Sequence, residues 1–207
     1  MNAIAGTNTK ELTGIILAGG LNSRMGTNKA FLQVVDGQPI IDSIVELFSS
    51  LFKETIVVSN QVEIYKYLGV KVVPDIILKK NPLCGIHAGL MAAETNNSFI
   101  VPCDMPFLQP DLIKLLVSEV NEDKYDVVVP QIDSYLQPLH AIYSKKCIKP
   151  IEKCLVEDIK KVIALYPWVK VNYVGETKMN KVCTKEELDK VFLNVNTKEE
   201  LEKAREM

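Results

Sequence analysis

Five short runs along the first two thirds of the chain, "GIILA" (14–18), "TIVVS" (55–59), "VKVVP" (70–74), "FIVPC" (99–103) and "DVVVP" (126–130), are apolar almost without interruption. A strand with one wet face alternates apolar and polar residues, whereas near-continuous runs are expected where both faces of a parallel sheet are covered. Helical periodicity separates these runs. The pattern predicts strands at 12–18, 55–59, 70–74, 98–102 and 125–130, and helices at about 40–52, 61–67, 85–95 and 110–120. In helix 40–52, Ile40, Ile44, Phe48 and Leu51 form one stripe behind Pro39, which reads as ordinary core. Thr197 and Glu200 have capping-box spacing, so a last helix is expected after them. Strands alternating with helices specify an α/β fold of three layers.

A length of 207 residues suits one domain, 1–207, with residues 1–10 expected to form a flexible tail. With 26 acidic and 24 basic residues and no long Lys/Arg run, the chain offers nothing to track a nucleic-acid backbone, so no nucleic-acid partner is expected. The start "MNAIAGTNTKEL" lacks the form of a signal peptide, and no apolar stretch approaches a membrane span, so a cytoplasmic location and no membrane partner are expected. The five cysteines, Cys84, Cys103, Cys147, Cys154 and Cys183, form no Cys-x-x-Cys pair and read as reduced, buried thiols.

Ligands of an open parallel sheet sit beyond the carboxyl ends of its strands. The segments there are 17–29, 59–61, 74–85 and 102–108, expected to converge on one rim. The first, "LAGGLNSRMGTNK", places Gly19, Gly20 and Gly26 beside Arg24 and Lys29. Gly26 is followed by Thr27 and Asn28 before Lys29, which excludes a Walker loop, and the glycine spacing excludes a dinucleotide fingerprint. Close backbone approach with two cations still describes a cradle for phosphates. Opposite stands Asp104, held between Pro102 and Pro106 at a strand end, a position suited to magnesium, which takes one or two carboxylates plus substrate phosphates. Asp111 follows Pro110 and reads as an electrostatic helix cap. His87 and His140 are too far apart to suggest a metal pair, and His87 is favoured as a structural or substrate contact over a general base. A magnesium carboxylate facing Arg24 and Lys29 is equipment for phosphoryl or nucleotidyl transfer, in which positioning and charge neutralisation dominate.

These residues resemble the molybdenum cofactor guanylyltransferases. The likeness begins at Leu17-Ala18-Gly19-Gly20 and Ser23-Arg24-Met25-Gly26 with Lys29, and continues through Asp75, "NPLCGIHAGL" (81–90), "PCDMPFL" (102–108), "PLHAIY" (138–143) and "FLNVNTKEEL" (192–201). It implies a Rossmann-like three-layer sandwich of the nucleotidyltransferase type with a mostly parallel central sheet. It also implies transfer of GMP from GTP to the terminal phosphate of molybdopterin (Mo-molybdopterin), with Mg2+ as cofactor and with molybdenum-insertion and molybdoenzyme maturation proteins as further partners. By position, the resemblance puts Leu17, Ala18, Gly19 and Gly20 on the nucleotide, Lys29 on its phosphates, Ser59 or Asn60 on the nucleotide, Asp75 and Gly85 against guanine and ribose, and magnesium on Asp104. The catalytic set is Lys29, Asp104 and Arg24. Two positions depart from the family pattern: Asn28 where many relatives carry aspartate, and Asn81 where glycine is usual. Gly19-Gly20 and Met105 point to the guanylyl rather than the cytidylyl branch.

Three alternatives stay open on the residues alone. One is cytidylyl transfer to the same pterin, another is nucleotidyl transfer to a sugar phosphate, cobalamin precursor or phospholactate, and the third is a non-catalytic nucleotide or pterin binder. In "FLNVNT", Asn194 and Asn196 close an apparent strand, where Asn196 either caps the final helix with Thr197 or sends a carbonyl to the metal or the transferring phosphate. The second role is favoured for at least one of the two, on the family position of the segment.

Overall fold

The computed structural model describes residues 7–19, 28–34 and 37–207. Gly20, Arg24 and Gly26 lie outside the described residues, as do residues 1–6. Strand β1 is Thr13–Leu17, helix α1 Ile40–Leu51, β2 Glu54–Val58, α2 Val62–Tyr65, β3 Lys71–Val73, α3 Pro82–Ala92, β4 Asn97–Pro102 and α4 Pro110–Ser118. The chain continues through β5 Val127–Ile132, β6 Tyr135–Leu136, β7 Ala141–Ser144, α5 Ile148–Val156, β8 Val171–Gly175, α6 Glu176–Met179, α7 Lys185–Val191 and α8 Lys198–Arg205. One eight-stranded sheet runs β3-β2-β1-β4-β7-β5-β6, with β8 paired to β5. β1 is parallel to β2 and β4, and β2 to β3, while β7 is antiparallel to both β4 and β5. The sheet is therefore mixed and mostly parallel, with helices on both sides.

The strand composition explains the layers. Successive residues of β1 enter opposite cores: Ile16 packs with Val57, Phe48 of α1 and Leu112 of α4, whereas Ile15 packs with Ile56, Leu83 of α3 and Ile151 of α5. Burial of both faces is what made these runs apolar along their whole length. All five cysteines are free and buried, as expected. Gly14 and Gly89 let the layers close. A Cβ on Gly14 would sit 2.4 Å from Phe48, and one on Gly89 would sit 2.7 Å from Ile15.

Several boundaries differ from the sequence pattern. Helix α3 begins at Pro82, three residues before the expected start, because the Asn81 side chain accepts from Leu83 N and proline fits the first turn. The expected helix at 61–67 divides into α2 and a 3-10 turn, Lys66–Leu68, closed by Gly69 at φ 69°. Residues 192–197 make no strand: Phe192 closes α7 in a turn, and the residues after it have no ladder partner among the described residues. Of the expected tail, residues 1–6 lie outside the described residues, while Asn8 caps a 3-10 turn, Thr9–Glu11, and Lys10 Nζ donates to Phe52 O at 3.2 Å.

Candidate active site

The sheet ladder extends past the strand ends and builds one rim. Ala18 N donates to Val58 O at 2.9 Å and Cys103 N to Leu17 O at 3.1 Å, so Leu17-Ala18-Gly19 and Cys103-Asp104 leave the sheet side by side. Between them and the start of α3 lies a cleft of about 510 Å³, lined by residues that include Leu17, Ala18, Gly19, Lys29, Asn60, Asp75, Gly85 and Asp104. Those segments were expected on one rim.

Lys29 begins a 3-10 turn, Lys29–Phe31, whose first amides are ordered by Asn28: its Oδ1 accepts from Ala30 N at 3.1 Å. From that turn the ammonium reaches Asn196 Oδ1 at 2.5 Å and Asp104 Oδ2 at 3.5 Å. The segment that carries Asn196 is pinned to the same place, because Val195 N donates to Asp104 O at 2.8 Å. Thus Asp104 and Asn196, 75 and 167 positions beyond Lys29 in sequence, meet it at one point. Asn194 does not join them: its amide donates to Phe192 O at 3.4 Å. Nor does Asn196 cap α8. Thr197 does, accepting from Glu200 N at 3.1 Å, while Glu200 Oε2 accepts from the backbone of Asn196 and Thr197.

Asp104 is mostly buried, and its Oδ1 has no hydrogen-bond partner among the described residues. Burial raises its carboxyl pKa, opposed by the Lys29 ammonium. A buried carboxylate oxygen without a partner, beside a cation, is costly unless something else is to be bound there. No cluster of three or more His, Cys, Asp or Glu exists among the described residues, so the donor set suits an ion that takes one protein carboxylate and completes its shell with phosphates and water.

At the other end of the cleft, Asn60 and Asp75 exchange two hydrogen bonds, Asn60 Nδ2 to Asp75 Oδ2 at 2.9 Å and Asp75 N to Asn60 Oδ1 at 3.0 Å. Burial raises the Asp75 carboxyl pKa, with the Asn60 amide opposing. Asn60 lines the cleft, whereas Ser59 is buried and uses its hydroxyl to accept from Gln61 N at 3.2 Å. Gly85 leaves room where a Cβ would lie 3.1 Å from Leu17 Cδ2 and 3.8 Å from Asp75 Oδ1. Gly19 differs: among the described residues a Cβ there would meet Val58 O alone, at 3.9 Å, an ordinary contact distance.

The histidines stand apart from the cleft. His87 is buried and its Nε2 lies 3.2 Å from Glu152 Oε1, joining α3 to α5, a structural contact. His140 is fully buried edge-on between Phe99 and Phe192, with burial pushing its pKa down to about 3. Asp111 lies in the first turn of α4 and pairs with Lys114. Met105 is buried.

Three groups escaped the sequence reading. Lys79 and Lys80 line the cleft; Lys79 Nζ donates to Leu155 O at the end of α5, whereas Lys80 makes no ion pair with a described residue. The repeated cation just before "NPLCG" was the available signal. Tyr65 lies under the cleft and touches both Asn28 and Ala18. Nothing in a lone tyrosine of a short helix announces such a contact.

Residues 14–170 match the model of the MobA-like NTP transferase domain. The chain is 41% identical over 197 residues to a probable molybdenum cofactor guanylyltransferase of Pelotomaculum thermopropionicum, covering 95% of this chain and 93% of that protein. It is 38% identical over 195 residues to a molybdenum cofactor guanylyltransferase of Desulfosudis oleivorans, covering 93% and 94%. Among solved structures, molybdopterin-guanine dinucleotide biosynthesis protein A from Archaeoglobus fulgidus superposes with a TM-score of 0.80 at 26% identity, over 94% of this chain and 97% of that one.

Proposed function

Because the chain belongs to the molybdenum cofactor guanylyltransferases, we propose that it transfers GMP from GTP to the terminal phosphate of molybdopterin, giving the guanine dinucleotide and pyrophosphate. The observation that carries this reading is the meeting of Lys29, Asp104 and Asn196 at one end of a cleft whose other end is Asn60, Asp75 and Gly85. GTP spans that distance with its base toward Asp75 and Gly85 and its phosphates toward Lys29. Leu17, Ala18 and Gly19 supply the backbone between, and Gly20 is assigned to the nucleotide by sequence position. Arg24 is assigned to the phosphates by sequence position.

Asp104 is the residue that would hold Mg2+, and its unpartnered oxygen supports that role. When bound, the ion would supply charge to the phosphate oxygens that pyrophosphate carries away. Lys29 neutralises the same oxygens from its turn, and Asn196 fixes the direction of its ammonium. A phosphate monoester acceptor is already largely ionised near pH 7, so the site needs no strong base, in accord with the distance of both histidines from the cleft. The whole chain works as one catalytic unit in this reading, in the cytoplasm, and hands its product to molybdenum-insertion and molybdoenzyme maturation proteins. Among the described residues no helix is long and apolar enough to cross a membrane.

The test is incubation with GTP or CTP, magnesium and molybdopterin, followed by mass analysis. Guanine dinucleotide and pyrophosphate from GTP are expected, with CTP turning over far less, because buried polar edges reject a wrong base strongly. A preference for CTP would move the chain to cytidylyl transfer, and nucleotide binding without pyrophosphate release would make it a binding protein.

A further inference from the structure

Three segments converge beneath the cleft: the exit of β1 at Ala18, the turn that carries Lys29, and the exit of β2 at Ser59. One side chain, Tyr65, ties the first two. It is fully buried at the end of α2, and its hydroxyl accepts from Asn28 Nδ2 at 2.9 Å while its proton points to Ala18 O at 3.5 Å. Its ring stacks on Phe31, at the far end of the same turn, with centroids 5.5 Å apart and planes 12° from parallel. Asn28 uses its other atom, Oδ1, to order Ala30 N. Tyr65 therefore holds the Lys29 turn at both ends, through Asn28 and through Phe31.

We propose that Tyr65 is a positioning residue of the active site, which sets Lys29 against the backbone of Ala18 by bridging Asn28 and the Ala18 carbonyl. This rests on the nucleotidyl-transfer reading above. Lys29 stands on a three-residue turn outside any regular element, and a catalytic group needs its support fixed within about 0.5 Å. The bridge requires the phenol in its protonated form, and burial holds it so by pushing the pKa up to about 12. Asparagine at position 28 suits the bridge because it both accepts from Ala30 and donates to Tyr65. An aspartate could only accept, and would turn the phenol proton away from Ala18.

The test is Tyr65→Phe, which keeps the stacked ring and removes the bridge. Steady-state kinetics with varied GTP, GTP affinity by calorimetry and the melting temperature are measured together. Tyr67→Phe is the control for loss of a tyrosine hydroxyl: its ring also lies beside Phe31, but its hydroxyl bonds Asp42 at 2.9 Å and takes no part in the bridge from Asn28 to Ala18. The expected result is a melting temperature near that of the parent and a rise of about three- to tenfold in KM and Kd for GTP, the range for one lost hydrogen bond. In a Lys29→Ala background the same change should have little further effect, since both act on one contact. Asn28→Ser, which keeps a capping oxygen but severs the link to Tyr65, should reproduce the rise and stands in if Tyr65→Phe does not fold. Unchanged GTP affinity in both variants overturns the proposal, as does an equal loss with and without Lys29. If the parent binds GTP but makes no dinucleotide, the transfer reading falls while calorimetry still decides the role of Tyr65.

Discussion

Asp104 and Asn196 both meet the Lys29 ammonium, and their substitutions should separate chemistry from stability. Asp104→Asn keeps the shape and removes the charge, so guanylyl transfer is expected to fall by about a hundredfold or more. The variant should nevertheless melt no lower than the parent at pH 7.5. Burial raises the Asp104 pKa in the folded state, so the ionised carboxylate weakens folding as pH rises through that value, and the amide has no such dependence. The advantage of the variant should shrink as pH falls through the carboxyl range, which melting curves at several pH values would show. Near-parental turnover would remove Asp104 from the site. For Asn196→Ala the expected result is about tenfold or more lost in activity with little change in melting, because the side chain bonds Lys29 and Thr197 holds the cap. Thr197→Ala should do the reverse, costing about 1 kcal/mol of stability in denaturant titrations. The alternatives left open by "FLNVNT" were undecidable in sequence, since both asparagines sit in the same motif and only the fold shows which one faces Lys29.

At the scale of elements, glycines 19 and 89 look alike in sequence and serve opposite ends. Gly89 lets α3 lie on β1, and a methyl group there would meet Ile15 at 2.7 and 2.9 Å. Gly89→Ala should therefore destabilise by about 1–3 kcal/mol, the range for an overfilled core, measured by denaturant unfolding. Gly19→Ala should leave unfolding nearly unchanged, since among the described residues the methyl would meet Val58 O alone, at 3.9 Å, and should weaken GTP binding instead. Equal destabilisation by the two would contradict this division. Sequence pattern located the strands from β1 to β5 because burial of both faces gives β1, β2, β4 and β5 their apolar runs, while the edge strand β3, half-buried at Val72 and Val73, still shows a short one. It passed over β6, β7 and β8 for physical reasons: β6 has two residues, and β8 is only partly buried, with Val174 its one fully buried residue, so little burial patterns it. β7, "AIYS", is too short to be told from a buried turn.

For the molecule as a whole, His140 joins the sheet to the C-terminal segment, its ring packed 5.0 Å from Phe99 and 5.2 Å from Phe192. A folded pKa near 3 means that the unfolded chain takes up a proton below about 6.5 while the folded chain does not. Stability is therefore full above that pH and is lost as pH falls from about 6.5 toward 3, by at most about 1.4 kcal/mol per pH unit. Denaturant unfolding at pH 7.5, 6 and 5 should show this slope, and His140→Leu should flatten it; parallel slopes would mean that His140 is protonated in the fold. The same long reach separates what could be read from the chain and what could not. Layering, the parallel strands and the rim follow from local rules, because burial of both strand faces and the ends of strands are written in consecutive residues. Lys29 and Asp104 were visible as candidates for the same reason, and the asparagine pair through the family resemblance of its segment. That Asn196 rather than Asn194 bonds Lys29, that Asn60 rather than Ser59 lines the cleft, and that Tyr65 lies beneath it are features of the tertiary structure alone. Each depends on which side chain a distant segment presents at one point, and no local pattern of residues encodes that.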